Sequence, residues 1–197
     1  MKKIILASSS PRRQKILRQV GIPFDVLSSD IEEDITDELS PYEAVKTLSG
    51  EKARVAAEKI NCPAIIVAAD TIVDLNGKII NKPVDKQDAF NILKKLQGRK
   101  HAVYTGVTII KKTMDDNDTI VKNIVDNASV FMRPMTDSEI WAYIETGEPM
   151  DKAGAYAIQE KGSLFIERIE GDFYTVEGLP IVRVYQELVN MGFEAEI

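Results

Sequence analysis

Ala64-Ile65-Ile66-Val67-Ala68-Ala69-Asp70-Thr71 is a run of small and β-branched apolar residues that closes on a carboxylate. Without polar alternation, such a run predicts a strand buried on both faces of a sheet. The strand is expected to end at Asp70. Ligands in open α/β sheets collect outside the carboxyl ends of strands, so Asp70 becomes a candidate for chemistry. Beyond it, Ile72-Val73-Asp74-Leu75 and Lys78-Ile79-Ile80-Asn81 flank Asn76-Gly77, the signature of a two-residue hairpin. That turn would set Leu75 opposite Lys78, Ile72 opposite Asn81 and Thr71 opposite Lys82, returning a cation toward Asp70. Taken alone, the stretch leaves open a surface hairpin with an incidental lysine.

Upstream, Lys3-Ile4-Ile5-Leu6-Ala7 predicts a short buried strand running into Ser8-Ser9-Ser10-Pro11-Arg12-Arg13-Gln14. Ser10 suits an N-cap and Pro11 the first helical position. Ile16, Leu17 and Val20 would share the inward face, and Gly21 would stop the helix. Backbone N–H groups, hydroxyls and two guanidinium groups thus gather at a positive helix end, an arrangement suited to an anion. The competing reading is a plain capped helix. Arg12 and Arg13 count against it, because cations in a first turn oppose the helix dipole.

Pro23 to Leu27 reads as a further strand. Asp30, Glu32, Glu33, Asp34, Asp37 and Glu38 read as a solvated acidic loop that leaves one member to ligate a metal. Ser40-Pro41-Tyr42-Glu43 is a capping box for a helix reaching Ile60, with Ser49-Gly50 as a possible kink. By spacing alone, Glu51-Lys52-Ala53 is an ordinary surface pair. Asp85 caps a helix that turns Phe90, Ile92, Leu93 and Leu96 inward and closes at Gly98. Val103 to Lys112 and Thr119 to Met132 read as strands joined by an exposed Met114–Asp118 loop. Thr136-Asp137-Ser138-Glu139 opens a helix carrying Ile140, Tyr143 and Ile144, on which Trp141 is read as packing. The segment from Thr146 to Gln159 is rich in small residues that allow close backbone approach to a ligand. In it, Gln159 offers both a donor and an acceptor. Gly171 to Pro180 is a turn-rich connector before a last helix that buries Val184, Leu188 and Val189.

Composition narrows the function. The 197 residues suffice for one domain, or one domain with a small lobe, and 25 basic against 31 acidic residues disfavour a nucleic-acid binder. One cysteine, Cys62, and one histidine, His101, provide neither a disulfide nor a soft metal cluster. Any metal would be a hard cation on carboxylates, magnesium or manganese. Residues 1–7 do not read as a signal peptide, and no apolar run suits a membrane span, so a soluble cytoplasmic protein is expected. Walker-type, Gly-x-Gly-x-x-Gly and Gly-x-Ser-x-Gly motifs are missing. The carboxylates and cations at loop ends suit phosphoryl or nucleotidyl chemistry.

Seven blocks in order carry a resemblance. They are Ser8-Ser9-Ser10-Pro11-Arg12-Arg13, Glu51-Lys52-Ala53, Ala69-Asp70-Thr71, Asn81-Lys82-Pro83, Thr105-Gly106-Val107, Gly147-Glu148-Pro149-x-Asp151-Lys152-Ala153-Gly154-Ala155-Tyr156 and Gly178-Leu179-Pro180. Over nearly its whole length the chain resembles the Maf (septum formation inhibitor) proteins, relatives of the inosine-triphosphate pyrophosphatase fold. The resemblance implies an α/β fold, a mixed twisted sheet flanked by helices with a cleft at the strand ends, as a single domain (1–197) or two lobes around that cleft. It implies a nucleoside-triphosphate pyrophosphatase that releases a monophosphate and pyrophosphate with a divalent cation. It further implies nucleotide-pool housekeeping, a link to division arrest, and a homodimer.

Carried onto this chain, the resemblance makes Asp70 the general base that activates water against the α-phosphorus. Ser8, Arg12, Arg13, Lys52, Lys82 and Lys152 would hold the triphosphate, and Glu33 with Asp70 would serve the metal. Arg12, Thr71 and Gln159 match specificity positions of the branch acting on dTTP and UTP, to which Tyr156-Ala157-Ile158-Gln159 is similar. A glutamine amide can read the O4 and N3–H edge of uracil or thymine. The competing function is a nucleotide-sensing protein that regulates division without turnover.

Overall fold

β3 (Ala64–Leu75) is buried without interruption from Ala64 through Asp70, as its composition predicts. It does not stop there. Thr71-Ile72-Val73 are β-branched and favour extended backbone, so the strand runs on to Leu75 and Asp70 is a mid-strand residue. The strand that ends near Asp70 is its parallel neighbour, β1 (Ile4–Leu6), whose last pair is Leu6 with Val67. The Ala7 N–H donates to the Val67 carbonyl at 2.8 Å, after which the chain departs. β3 outruns β1, and Asp70 lies beyond the carboxyl end of the shorter strand.

The structure, a computed structural model, describes residues 3–29, 39–114 and 118–194. The strand order is β2 (Asp25–Val26), β1, β3, β5 (Lys100–Lys112), β6 (Ile120–Met132), β7 (Ile166–Glu170), with β4 (Lys78–Ile80) also paired to β3. The sheet is mixed: β1 is parallel to β2 and β3, whereas β4 is antiparallel to β3 and β7 to β6. The helices are α1 (Pro11–Gln19), α2 (Pro41–Glu58), α3 (Lys86–Leu96), α4 (Asp137–Ile144), α5 (Phe173–Glu177) and α6 (Ile181–Asn190). Among the described residues, no helix is long and apolar enough to cross a membrane. The chain divides into two compact units, Met1–Asp70 with Thr105–Asp126 and Gly178–Ile197, and Thr71–Tyr104 with Asn127–Glu177.

In the first unit, Ile5, Ala7, Ala53, Ala56, Ala64, Ile66, Ala68 and Ile110 form a core in which small side chains dominate. Small residues bring α2 close to the sheet. A Cβ placed on Gly106 of β5 would come within 2.6 Å of the Val45 carbonyl carbon of α2, so only glycine fits there. α2 opens on the expected capping box, Ser40 with Glu43, a motif whose cap is worth roughly 0.5–2 kcal/mol. It passes Ser49-Gly50 without a break. The Ser49 hydroxyl is satisfied by the Lys46 carbonyl (3.2 Å) and Thr108 Oγ1 (3.0 Å).

Three apolar expectations shift in this unit. Val20 is 44% exposed because α1 ends at Gln19, leaving Val20 past the last turn. Val189 is 43% exposed. Ile181, Val184 and Leu188 already fill the inward face of α6, and Val189 is turned about 100° away from Leu188. The strand expected over Pro23–Leu27 shrinks to the two residues of β2.

In the second unit, Ala89, Ile92, Leu93 and Leu96 of α3 pack with Ile140, Tyr143 and Ile144 of α4, and with Val73, Val103, Val130 and Met132 of the strands. Asp85 caps α3 by accepting from the Asp88 N–H at 2.7 Å, and Thr136 with Glu139 forms the second capping box. Trp141 stacks on Phe90 with ring centroids 4.9 Å apart, the packing role expected of it. The hairpin turn has positive φ at Asn76 (55°) and Gly77 (82°), as a tight turn of matching twist requires. Its register is Leu75–Lys78, Asp74–Ile79 and Val73–Ile80. The ladder stops at Val73–Ile80, short of the expected Ile72–Asn81 and Thr71–Lys82 positions, where β4 ends and the Asn81 carbonyl accepts from the Gly154 N–H at 3.3 Å. Within the expected connector, Phe173–Glu177 forms the short helix α5, opened by Asp172, whose carboxylate accepts from Thr175 N–H (2.8 Å) and hydroxyl (2.9 Å).

Candidate active site

The β1–α1 loop sets the first group of residues. Ser8 is buried, and its Oγ accepts from the Ser10 N–H (3.3 Å) and from Arg13 Nη1 (3.0 Å). Arg13 Nε donates to the Gly178 carbonyl at 2.9 Å, tying the start of α1 to the residues that lead into α6. Ser10 occupies the N-cap position, but its side chain makes no capping bond. The expected cap is therefore corrected: the Ser10 backbone turns toward Ser8 Oγ, and the helix start is left to Pro11, Arg12 and Arg13 with no acid in the first turn. Half-buried guanidinium groups at a helix N-terminus without a side-chain cap suit an anion, for which both the dipole and the charges are favourable.

Lys52 and Asp70 form the second group. Lys52 Nζ donates to Asp70 Oδ1, and both residues are less than a tenth exposed. Lys52 is not the surface residue that its local spacing predicted. It lies four residues after Leu48 and seven after Val45, on the stripe of α2 that faces the sheet. A lysine inside an apolar stripe was the signal available in the sequence. As a pair the two charges compensate each other out of water, and loss of either would strand its partner.

The second unit holds the remaining sequence-predicted residues. Thr71 is half-buried on β3, and Lys82 is exposed just after β4. Lys152 is buried, with its Nζ donating to the Glu148 carbonyl (2.6 Å) and the Asp151 carboxylate (2.7 Å). Gln159 carries a buried Nε2 that has no hydrogen-bond partner among the described residues. The small residues before it serve the fold first. Gly154 has φ 72°, and a Cβ there would lie 2.9 Å from Val73 Cγ2, so the close approach is to β3.

Sequence reasoning gives Tyr143 a place on its helix and Glu148 a place in a family block, but neither a role in the site. Gly147, at φ 77°, ends α4 in the left-handed region and turns the chain back beside its own helix. Glu148 thereby meets Tyr143, which donates its hydroxyl proton to Glu148 Oε1 at 2.8 Å. The available signal was that Tyr and Glu sit five residues apart across a helix-stopping glycine. Burial, with the Glu148 carboxylate adding to it, pushes the Tyr143 hydroxyl well above the ordinary phenol range. His101 Nε2 lies 2.7 Å from the Tyr156 hydroxyl, with both side chains buried. Burial pushes the imidazole down to about 4.

The expected metal carboxylate, Glu33, lies outside the described residues. Among the described residues no group of three or more His, Cys, Asp or Glu side chains could hold a metal ion. A closed protein cage is thus not built from these residues. Asp70 fits the other way of binding a hard cation, in which one or two carboxylates act with the phosphates of a substrate.

The family described as Maf-like protein matches residues 3–191 of this chain. A dTTP/UTP pyrophosphatase of Carboxydothermus hydrogenoformans is 44% identical over 191 residues, which cover 97% of this chain and all of the relative. A dTTP/UTP pyrophosphatase of Dictyoglomus turgidum is 47% identical over 193 residues, covering 98% of this chain and 97% of its own. Among solved structures, the Ham1 protein of Staphylococcus aureus aligns over 96% of this chain and 98% of its own, with a TM-score of 0.50 and 15% identity. The last is a likeness of fold alone.

Proposed function

The chain belongs to the Maf-like protein family, and on that footing we propose that it is a nucleoside-triphosphate pyrophosphatase acting on dTTP and UTP. The observation that carries this reading is the 44% and 47% identity to two proteins of that name over nearly the whole of both chains.

Asp70 accepts a proton from a water molecule as its oxygen attacks the α-phosphorus. The bond from that phosphorus to the oxygen bridging the α and β positions breaks, and pyrophosphate leaves with the electron pair. The products are the nucleoside monophosphate and pyrophosphate. Lys52 compensates the Asp70 charge and holds its carboxylate in one place. Ser8, Arg12, Arg13, Lys52, Lys82 and Lys152 bind the triphosphate and offset charge on the leaving group. Arg12, Thr71 and Gln159 select the base, with the partnerless Gln159 Nε2 supporting a ligand that supplies an acceptor. A divalent cation, magnesium or manganese, held by Asp70 and Glu33 with the substrate phosphates, would neutralise phosphate charge. An acidic chain, 25 basic to 31 acidic residues, suits a small nucleotide better than a nucleic acid. We place this nucleotide-pool activity in the cytoplasm, in a homodimer, with the link to division arrest as a downstream consequence.

The test is turnover with dTTP, UTP, CTP, ATP and GTP, each with magnesium or manganese and then with chelator. Pyrophosphate from dTTP and UTP, lost with chelator, is the expected result. Orthophosphate as product would contradict it. Tight nucleotide binding without product would favour a sensor.

A further inference from the structure

The segment that carries Gln159 is held from both sides by two side chains. The Ala157 N–H, two residues before Gln159, donates to the Tyr143 hydroxyl at 3.2 Å. The Lys161 N–H, two residues after it, donates to Glu148 Oε2 at 3.1 Å, and the Gly162 N–H donates to Glu148 Oε1 at 3.0 Å. Tyr143 and Glu148 are joined by the 2.8 Å bond between hydroxyl and Oε1. The two side chains thus form one continuous bracket that grips the backbone on each flank of Gln159.

The bracket is anchored. Tyr143 is buried on α4, and its ring meets Phe165 edge to face with centroids 5.2 Å apart. The approach is so close that a Cβ on Gly162 would stand 2.6 Å from the Tyr143 hydroxyl oxygen. The residue within the bracket carries a buried donor, Gln159 Nε2, that has no partner among the described residues. A buried amide N–H without an acceptor is unfavourable until a ligand supplies one, and its selectivity depends on being held in place.

We infer that Tyr143 and Glu148 are positioning residues that fix Gln159 and thereby set discrimination among nucleotide bases. The inference rests on the reading of the chain as a dTTP and UTP pyrophosphatase. Neither residue is assigned contact with substrate. Without the Tyr143 hydroxyl, the Ala157 N–H and the Glu148 carboxylate each lose a partner, and the segment that carries Gln159 loosens while the Tyr143 ring packing stays.

The test uses the full chain carrying Tyr143→Phe and, separately, Glu148→Gln, which keeps an acceptor oxygen but not both. The readout is the ratio of kcat/KM for UTP to that for CTP, with inhibition by inorganic tripolyphosphate as a measure of phosphate binding. The inference expects the ratio to fall about tenfold in both variants, the size of one displaced hydrogen bond, with tripolyphosphate inhibition unchanged. It also expects Tyr143→Phe to lower the ratio no further when added to Gln159→Ala, since both changes then act through one side chain. An unchanged ratio in both variants, or full additivity with Gln159→Ala, would overturn the positioning role alone. A wild-type protein that does not favour dTTP and UTP would overturn the functional reading and this inference with it. Circular dichroism and thermal midpoints identify a variant that fails to fold, and the other variant then decides.

Discussion

Lys52 of α2 donates to Asp70 of β3, and the two form a buried ion pair where β3 runs past the end of β1. Removing one member of such a pair leaves an uncompensated charge and costs about 3–5 kcal/mol. Lys52→Met is expected to lose stability on that scale in urea unfolding. Adding Asp70→Asn to it should recover much of the loss, because no charge is then left stranded. A Lys52→Met protein as stable as wild type would mean the pair is not compensating charge.

Asp70→Asn alone keeps the shape of the side chain but cannot take a proton from water. Turnover is expected to fall roughly 10²–10⁴-fold with the far-ultraviolet spectrum unchanged. A folded variant with near-normal turnover would remove Asp70 as the base.

Arg13 uses Nε on the Gly178 carbonyl and Nη1 on Ser8 Oγ, a fork that an ammonium cannot reproduce. Arg13→Lys is expected to raise KM for triphosphates about tenfold or more, with a smaller change in kcat, given about 1.5–3 kcal/mol for a charge-assisted bond. Equal losses in kcat and kcat/KM would assign Arg13 to the transition state instead.

These residues also mark what a sequence makes legible. The buried strand, its hairpin and both capping boxes follow from patterns within ten residues, and the structure has them. Local sequence puts Asp70 at a strand end because nothing local shows that β1 stops at Leu6 while β3 continues to Leu75. The continuing β-branched run, Thr71-Ile72-Val73, was the hint. Lys52 looked like a surface residue because charge outweighed its place on the apolar stripe. The bracket around Gln159 depends on a left-handed Gly147 folding Glu148 back onto Tyr143, a contact set by a turn and a core together.

His101 makes stability depend on acid. In the unfolded chain an imidazole titrates near 6.5, whereas burial lowers it to about 4 in the fold. Above the unfolded value both states are neutral and stability is complete. As pH falls from 6.5 to about 4, the unfolded chain gains a proton that the folded chain refuses, and about 3 kcal/mol is lost. His101→Gln, which keeps a polar partner for the Tyr156 hydroxyl, should flatten this part of the urea stability profile relative to wild type. Parallel profiles would mean that His101 is not the group responsible.

Gly106 sits in one of the blocks that carry the family resemblance, yet its role is packing. Gly106→Ala would press a Cβ against the Val45 carbonyl of α2. A loss of about 1–3 kcal/mol or more is expected in denaturant unfolding, with KM for dTTP unchanged in the folded fraction. An alanine variant of wild-type stability would show that α2 can move off β5 at little cost.

The central claim is that water, activated by Asp70, attacks the α-phosphorus of dTTP or UTP. Hydrolysis of dTTP in ¹⁸O-enriched water, with both products analysed by mass spectrometry, tests it most directly. The account predicts one ¹⁸O in thymidine monophosphate and none in pyrophosphate. Label in pyrophosphate would place the attack on the β-phosphorus, and label in orthophosphate would place it on the γ-phosphorus; either would contradict the claim.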